Sequence, residues 1–178
     1  MLILGIDPGL ANTGWGVIEV DKAQKRHSAN GVIHTFSREA HVFRLRRIAE
    51  ELGEVIRHWQ PSLACVERVF SNVNAKTSLS VGEARGVILA TLFAGKIEVT
   101  EFSALQIKQS ITGIGRADKK RVAAMVAQIL DMDVSNIGAD ATDALACALT
   151  ATPMMRLSGE VRPSFPYRLR RTRRRRAS

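Results

Sequence analysis

The sequence has few cysteines and no long apolar run, and both absences exclude classes of protein. Its 178 residues include only two cysteines, Cys65 and Cys147, and each lies in an apolar segment. Two buried thiols fit a reducing compartment better than a disulfide framework, so we expect a cytoplasmic protein. No apolar run approaches the roughly 18 residues of a membrane span. No basic residues precede the short apolar N-terminus, as they would in a secretory signal.

Patterns typical of covalent catalysis and of phosphate-transferring kinases are also missing. The four histidines are scattered along the chain and form no Ser/His/Asp or Cys/His arrangement, so nothing indicates a covalent nucleophile. An actin-like ATPase or sugar kinase also opens with a strand, an acid and a Gly-rich turn. Such proteins need a second phosphate loop and an adenosine pocket, for which this chain is too short.

Positive charge is concentrated at the C-terminus. From Arg156 onward there are nine arginines and one acid, so this stretch carries +8 of the net charge of +9. We therefore predict a folded domain over residues 1–152 and a disordered Pro/Arg-rich tail over residues 153–178. The tail is interpreted either as a non-specific nucleic-acid arm or as a solvated tail that aids solubility.

Hydrophobic periodicity predicts an α/β fold with a mixed five-stranded sheet and helices on both faces. Three strands joined by short turns come first, and later strands are separated by helices, which favours parallel pairing. DKAQKR is predicted to be the turn of the second hairpin, and Ser103 with Gln106 predicts a capping box. The strands are predicted at residues 2–7, 14–20, 28–36, 62–67 and 97–102. Helices are predicted from residue 42 to the region before Pro61, at 75–94, from Ser103, at about 117–131 and at 139–151.

Four acids are predicted to form one site. Asp7 and Glu67 end two predicted strands, and Asp140 and Asp143 share one face at the start of the last helix. Clustered carboxylates must take up protons or bind a cation, and oxygen ligands without His or Cys indicate Mg²⁺ or Mn²⁺. Two such ions could stabilise the attacking and leaving oxygens of a phosphoryl displacement.

Each acid also has a simpler interpretation. An acid at a strand end, such as Asp7, often only forms a turn, and an acid in the first turn of a helix, such as Asp140, favours the helix dipole. Glu67 could pair with Arg68 on the surface. Taken singly the signals are weak, and only the combination points to a metal site.

Four stretches of the chain read GIDPGLANTGWGV, VERVFSNVNAKTSLSVGEARG, LQIKQSITGIGRADKKRVAAMV and ADATDALACA. Together, in this order over residues 2–152, they resemble the RuvC family of bacterial Holliday-junction resolvases. The resemblance implies a ribonuclease-H-like fold and a homodimer with two equivalent sites. It also implies a Mg²⁺-dependent endonuclease that nicks two opposing strands of a four-way DNA junction. The family works with the RuvA–RuvB branch-migration complex in recombination and repair. The arginine-rich tail has no counterpart in the family pattern.

The resemblance assigns roles to individual residues. The family's metal-binding acids fall on Asp7, Glu67, Asp140 and Asp143, with two Mg²⁺ ions at each site and Mn²⁺ as a substitute. Some members carry histidine at the third position, so Asp140 is the most replaceable ligand. Water would attack the scissile phosphate, and the products would carry 5′ phosphates.

Other residues are candidates for DNA binding. Phe70, in a polar loop, is predicted to stack on an unpaired base, or else to anchor the loop. Lys108 is predicted to offset charge on the reacting phosphate, and Lys119 is predicted to contact phosphate. Arg85 and Arg116 are weaker candidates of the same kind. For each of these cations the alternative is an ordinary solvated side chain.

Helix 75–94 is the predicted dimer interface, with Val87, Leu89 and Leu92 as its apolar contacts, although simple core packing would explain them equally well. Two alternative functions stay open at this point. One is a nuclease of the YqgF type that acts on RNA, and the other is a junction binder without catalytic activity.

Overall fold

The computed structural model describes residues 1–68 and 75–152, except for the side chains of residues 75 and 76. Phe70 and the tail over residues 153–178 lie outside the described residues, and so do the predictions that concern them. Strands and helices occur in the predicted order. The strands are β1 (Leu2–Asp7), β2 (Asn12–Asp21), β3 (Gln24–His34), β4 (Leu63–Arg68) and β5 (Glu98–Ser103). The helices are α1 (His41–Trp59), α2 (Ala75–Ala94), α3 (Ala104–Thr112), α4 (Lys119–Leu130) and α5 (Ala139–Thr150).

The five strands form one mixed sheet in the order β3-β2-β1-β4-β5. β1 and β3 pair antiparallel with β2, as expected for strands joined by short turns. β4 pairs parallel with both β1 and β5, since helices separate these strands in the chain. The mixed five-stranded sheet predicted from periodicity is therefore confirmed.

The hairpin between β2 and β3 is tighter than predicted. Asp21 already pairs with Gln24, so only Lys22 and Ala23 connect the strands. Lys22 adopts the left-handed conformation, with φ of 53°, which a two-residue turn requires. The predicted six-residue turn was wrong because the polar ends of both strands pair through their backbones, and this pairing leaves no apolar signal.

The ends of α3 and the C-terminal end of α1 lie where the sequence predicts them. The capping box of α3 is confirmed, since the Ser103 hydroxyl accepts from the Gln106 N–H at 3.3 Å and Gln106 Oε1 accepts from the Ser103 N–H at 2.9 Å. α3 then stops at Gly113, whose φ is 75°. α1 ends before Gln60, a left-handed residue that precedes Pro61.

Each face of the sheet carries a separate hydrophobic core. On one face α1 and α2 cover Leu4 and Ile6 of β1. On the other face α3, α4 and α5 cover Ile3 of β1 and Cys65 of β4. This confirms helices on both faces. In the described residues no helix is long and apolar enough to span a bilayer.

The interface predicted on α2 needs correction. Leu92 is 0% exposed and belongs to the core, while Val87 and Leu89 are half-buried and pack against that core. The outward side chains of α2 are instead Leu79 and Phe93, which are 65% and 71% exposed. The helix is apolar on several sides, so the sequence alone did not show which face packs on the sheet.

α5 packs directly on the middle of the sheet because the strands below it carry glycine. A Cβ atom on Gly5 of β1 would lie 1.9 Å from the carbonyl oxygen of Ala144. A Cβ atom on Gly14 of β2 would lie 2.0 Å from the carbonyl oxygen of Asp140. Since no larger residue fits at either position, these glycines hold the acidic start of α5 against the end of β1.

Candidate active site

Asp7 and Glu67 lie at the carboxyl ends of neighbouring parallel strands. The pairing of Ile6 with Val66 places the following residues, Asp7 and Glu67, beside each other. Strand alternation turns both side chains to the face covered by α5, because their neighbours at Ile6 and Val66 belong to the opposite core. The predicted meeting of these two carboxylates is therefore present in the structure.

The two acids line a pocket that also receives residues from three helices. The pocket has a volume of about 210 Å³ and is called the acid pocket below. Asp143 enters it from α5, Lys108 from α3 and Lys119 from α4. Three of the four predicted acids and both predicted lysines thus share one pocket.

Burial and mutual repulsion keep Asp7 protonated far above the usual range. Its pKa is raised from 3.8 to about 7, chiefly by burial and then by the charges of Glu67, Asp143 and Asp140. Lys119 acts in the opposite direction and lowers this pKa. A carboxyl that titrates near neutrality is ready to exchange its proton for a metal ion.

The pKa of Glu67 is also raised, and two lysines partly offset this rise. Burial and the charge of Asp143 raise the pKa of Glu67. Lys119 and Lys108 lower it, so both lysines act electrostatically on the acids whose pocket they line. The pocket therefore holds positive charge beside its carboxylates, an arrangement suited to a phosphate that contacts both.

Lys119 forms a direct ion pair within the pocket. Its Nζ donates to Asp143 Oδ2 at 2.7 Å, and this bond raises the pKa of Lys119. Lys119 is the first residue of α4, where a cation opposes the helix dipole. At this position Lys119 does not stabilise the helix, so its contribution is to the pocket, where it pairs with Asp143.

Asp140 is the one predicted acid that does not line the acid pocket. It lines a second cavity of about 460 Å³, which contains Arg44 and is called the Arg44 cavity below. Its charge still raises the pKa of Asp7, so the acid pocket and the Arg44 cavity are neighbours. Sequence spacing placed Asp140 and Asp143 on one helical face, whereas the structure divides them between two cavities.

The carboxylates of the site are ligands that suit a hard divalent cation, but among the described residues they do not converge on a single position for an ion. Carboxylate oxygens without nitrogen or sulfur ligands are the donors that Mg²⁺ prefers. Among residues 1–68 and 75–152, no three His, Cys, Asp or Glu side chains are already placed to hold one ion together. Because Lys119 holds Asp143, a metal ion and this lysine compete for the same carboxylate.

The predicted DNA-binding arginines lie outside the acid pocket. Arg85 of α2 pairs with Glu101 of β5, which ties the helix to the sheet. Arg116 is exposed just before α4. Their contact with DNA stays a prediction.

Sequence reasoning missed Arg44. It lies on α1 between apolar positions and close to Arg46 and Arg47, and nothing in this spacing separates it from its neighbours. Only the structure shows that Arg44, unlike the other two, lines a cavity beside the acids.

The sheet order, the helices on both faces and the acids at the ends of β1 and β4 define a ribonuclease-H-like nuclease, a class that uses metal ions. Comparison with known proteins agrees. The family model described as crossover junction endodeoxyribonuclease RuvC matches residues 3–151. The chain belongs to the RuvC family.

Individual relatives support this assignment. The crossover junction endodeoxyribonuclease RuvC of Hyphomonas neptunium is 45% identical over 149 residues, which are 84% of this chain and 89% of the relative. Thermus thermophilus RuvC in complex with Holliday junction substrate is 32% identical, with a TM-score of 0.83, over 88% of this chain and 96% of that one. The yeast mitochondrial Holliday junction resolvase Ydc2 shares the fold at 14% identity, with a TM-score of 0.63, over 83% of this chain and 77% of the other.

Proposed function

We propose that this chain is a Mg²⁺-dependent endonuclease that resolves four-way DNA junctions by paired symmetric nicks. The observation that carries the proposal is the acid pocket, where three carboxylates and two lysines meet at the ends of β1 and β4 in a chain of the RuvC family. The proposed role is in homologous recombination and DNA repair. We also place the protein in the cytoplasm, because its substrate is DNA and Cys65 and Cys147 are free buried thiols.

The proposed metal ligands are Asp7, Glu67, Asp140 and Asp143. Two Mg²⁺ ions held by these carboxylates would supply an activated water and offset charge on the departing 3′ oxygen. Because burial raises the pKa of Asp7 to about 7, a cation that binds there below that pH would displace a proton. Hydrolysis breaks the P–O3′ bond, so that one product ends in a 3′ hydroxyl and the other in a 5′ phosphate.

The lysines of the pocket are proposed to bind the reacting phosphate. Lys108 is half-buried and lies among the acids, where it can offset negative charge that grows on the phosphate. Lys119 is exposed beyond its contact with Asp143, so it can reach a strand that arrives from solvent. Phe70, Arg85 and Arg116 are proposed to bind DNA outside the pocket.

Two symmetric nicks require two copies of the site, and we propose a homodimer formed through the outer face of α2. Leu79 and Phe93 project there, and Gly82, Gly86 and Ala90 lie between them. Nothing lies within 4 Å of a Cβ atom built on Gly82 or Gly86, so a second helix could approach the backbone closely. Sedimentation of Phe93→Asp should show monomers, and a dimer that persists unchanged would contradict this interface.

The proposed activity is tested with a synthetic four-way junction in Mg²⁺, with wild type and Asp7→Asn compared in parallel. Paired symmetric nicks by wild type, absent in an Asp7→Asn variant that still binds the junction, are expected. Equal cleavage by both would contradict the site assignment. Binding without cleavage by wild type, in Mg²⁺ and again in Mn²⁺, would indicate a non-catalytic junction binder, and a preference for RNA would indicate the YqgF type.

The proposal includes a partnership with the RuvA–RuvB complex, which rests on family membership. Wild-type protein should cut a junction that carries RuvA and RuvB. Failure on that substrate, together with cleavage of the bare junction, would contradict the partnership and leave the nuclease activity standing.

A further inference from the structure

The Arg44 cavity adjoins the acid pocket and collects polar groups from separate parts of the chain. Asn12 comes from the start of β2, Arg44 from α1, and Thr77 and Ser80 from α2. Gly9 and Leu10, from the turn after Asp7, line the same cavity, and so does Asp140, which lies one helical turn before Asp143 of the acid pocket, so the two cavities adjoin. At about 460 Å³ the Arg44 cavity is larger than the acid pocket, which is about 210 Å³.

Arg44 is held in place by a chain of two hydrogen bonds. Its Nε donates to the Thr35 hydroxyl at 2.8 Å. That hydroxyl, which is buried, donates to the carbonyl oxygen of Leu10 at 2.5 Å. Because a guanidinium group is planar, fixing Nε also limits the directions of the two terminal nitrogens. The position of Arg44 is thus tied to the turn that follows Asp7.

Arg44 differs from nearby cations of α1 in its ion pairing within the described residues. His41, Arg46 and Arg47 of the same helix lie 2.6–2.8 Å from Glu83, Glu50 and Glu39. Arg44 forms no such ion pair within the described residues. The cation that lines the cavity therefore differs from its helical neighbours by keeping its charge available.

A further donor lies beside it. Asn12 lines the cavity, and its Oδ1 lies 3.0 Å from His34 Nδ1, so its amide N–H₂ group does not take part in that contact. An oriented guanidinium, an amide and two hydroxyls form a set of groups that suits a phosphate monoanion.

We propose that the Arg44 cavity binds a backbone phosphate of the strand being cut, next to the scissile phosphate in the acid pocket, with Arg44 as the phosphate ligand and Thr35 as its positioning residue. This inference rests on the proposed nuclease function. The contact would fix the register of the strand without reading its sequence.

The test measures binding of a fluorescent four-way junction in EDTA, where cleavage is prevented, over a series of salt concentrations. Arg44→Gln should weaken binding at least tenfold and reduce the slope of log affinity against log salt by about two, one for each protomer of the proposed dimer. Arg46→Gln is the matched control, because Arg46 is exposed on the same helix and pairs with Glu50. Equal losses in Arg44→Gln and Arg46→Gln would overturn the proposal.

Replacing single phosphates of the junction by neutral methylphosphonates identifies the phosphate that Arg44 contacts. Single methylphosphonates are placed at each position around the scissile phosphate. One of them should weaken binding by wild type but have no further effect on Arg44→Gln. If every position affects both proteins equally, the proposed contact is wrong.

Thr35→Val tests the positioning role and guards against misfolding of the arginine variant. It keeps the size of the side chain and the charge of Arg44 but removes the hydroxyl between Arg44 and Leu10. Binding should weaken about threefold with an unchanged salt slope, and wild-type affinity would contradict the role of Thr35.

Cleavage of the junction by wild type is measured in the same series with Mg²⁺ added. If wild type binds but never cuts, the nuclease proposal fails, and the phosphate contact is still decided by the binding data.

Discussion

Lys119 Nζ lies 2.7 Å from Asp143 Oδ2, which places a cation from the start of α4 among the acids of β1, β4 and α5. The same lysine lowers the pKa of both Asp7 and Glu67. Lys119 therefore holds one carboxylate directly and favours ionisation of two others, so its removal should alter how the pocket responds to pH.

Lys119→Gln should shift the acidic limb of the pH–rate profile to higher pH. Without the lysine the pKa values of Asp7 and Glu67 rise further, so fewer molecules have an ionised pocket at pH 7. We expect kcat/KM for junction cleavage to fall about tenfold at pH 7 and to recover in part near pH 9, because roughly one pKa unit corresponds to a tenfold change. Lys120→Gln, which changes the exposed neighbour, serves as control. A parallel loss at all pH values would contradict the electrostatic role.

Asp7→Asn should stabilise the metal-free protein at high pH. The folded state binds a proton at Asp7 up to about pH 7, whereas the unfolded chain releases it near the ordinary value of 3.8. The contribution of Asp7 to stability is therefore greatest below about pH 4, falls as pH rises to about 7 and changes little above that. At 1.36 kcal/mol per pKa unit, this shift corresponds to a loss of about 4 kcal/mol.

Thermal unfolding in EDTA measures this effect. Asp7→Asn and wild type should have similar Tm values at pH 4, and the variant should have the higher Tm at pH 8. Glu54→Gln, a change at an exposed acid of α1, should leave the pH dependence as in wild type. A wild-type Tm that does not fall relative to Asp7→Asn between pH 4 and pH 8 would show that Asp7 is not strained by burial.

Much of this site follows from the sequence because its acids end apolar strands. β1 and β4 were predicted to within a residue, since continuous apolar runs mark buried parallel strands. Parallel neighbours end at the same edge of a sheet, so the meeting of Asp7 and Glu67 could be inferred without a structure. The capping box of α3 was readable for a similar reason, because its two partners are only three residues apart.

Contacts between residues distant in sequence could not be predicted from periodicity. Lys119 and Asp143 are 24 positions apart, and their ion pair depends on how α4 and α5 cross. The path from Arg44 through Thr35 to Leu10 joins α1 to the connections that follow β3 and β1, and no local pattern relates these segments. Helical spacing predicted Asp140 and Asp143 on one face, but it could not show that they line two different cavities.

The division of Asp140 and Asp143 between two cavities predicts unequal effects on catalysis. Asp143 lines the acid pocket with Asp7 and Glu67, so Asp143→Asn should lower kcat by about a thousandfold or more, as expected when a catalytic metal ligand is lost. Asp140→Asn should lower kcat less, by about 10–100-fold, and Asp140→His should retain measurable cleavage. Single-turnover cleavage of a junction in saturating Mg²⁺ compares the three variants. Equal losses in Asp140→Asn and Asp143→Asn would contradict the assignment of Asp140 as the more replaceable ligand.

Gly5 should be intolerant of substitution because α5 occupies the space that any side chain would need. The Cβ atom of Gly5→Ala would lie 1.9 Å from the Ala144 carbonyl oxygen and 2.6 Å from the Ala148 backbone nitrogen. These are backbone atoms and cannot rotate away, so α5 must move off β1, and Asp143 must move with it. We expect a loss of about 3 kcal/mol in the free energy of unfolding, at the upper end for overpacked cores. Junction cleavage should fall even in the fraction that stays folded.

Gly53→Ala is the matched control for this change. Gly53 lies within α1, and a Cβ atom there would meet only the Arg57 Nη1 atom at 3.4 Å. Since alanine favours helix over glycine, Gly53→Ala should stabilise the protein by about 0.5–1 kcal/mol and leave cleavage unchanged. Urea unfolding of both variants is followed by cleavage assays at urea concentrations below the unfolding transition. Together they separate the effect of close packing at Gly5 from the effect of helix propensity at Gly53. If Gly5→Ala proved as stable and as active as wild type, close packing of α5 on β1 could not be what holds Asp143 beside Asp7.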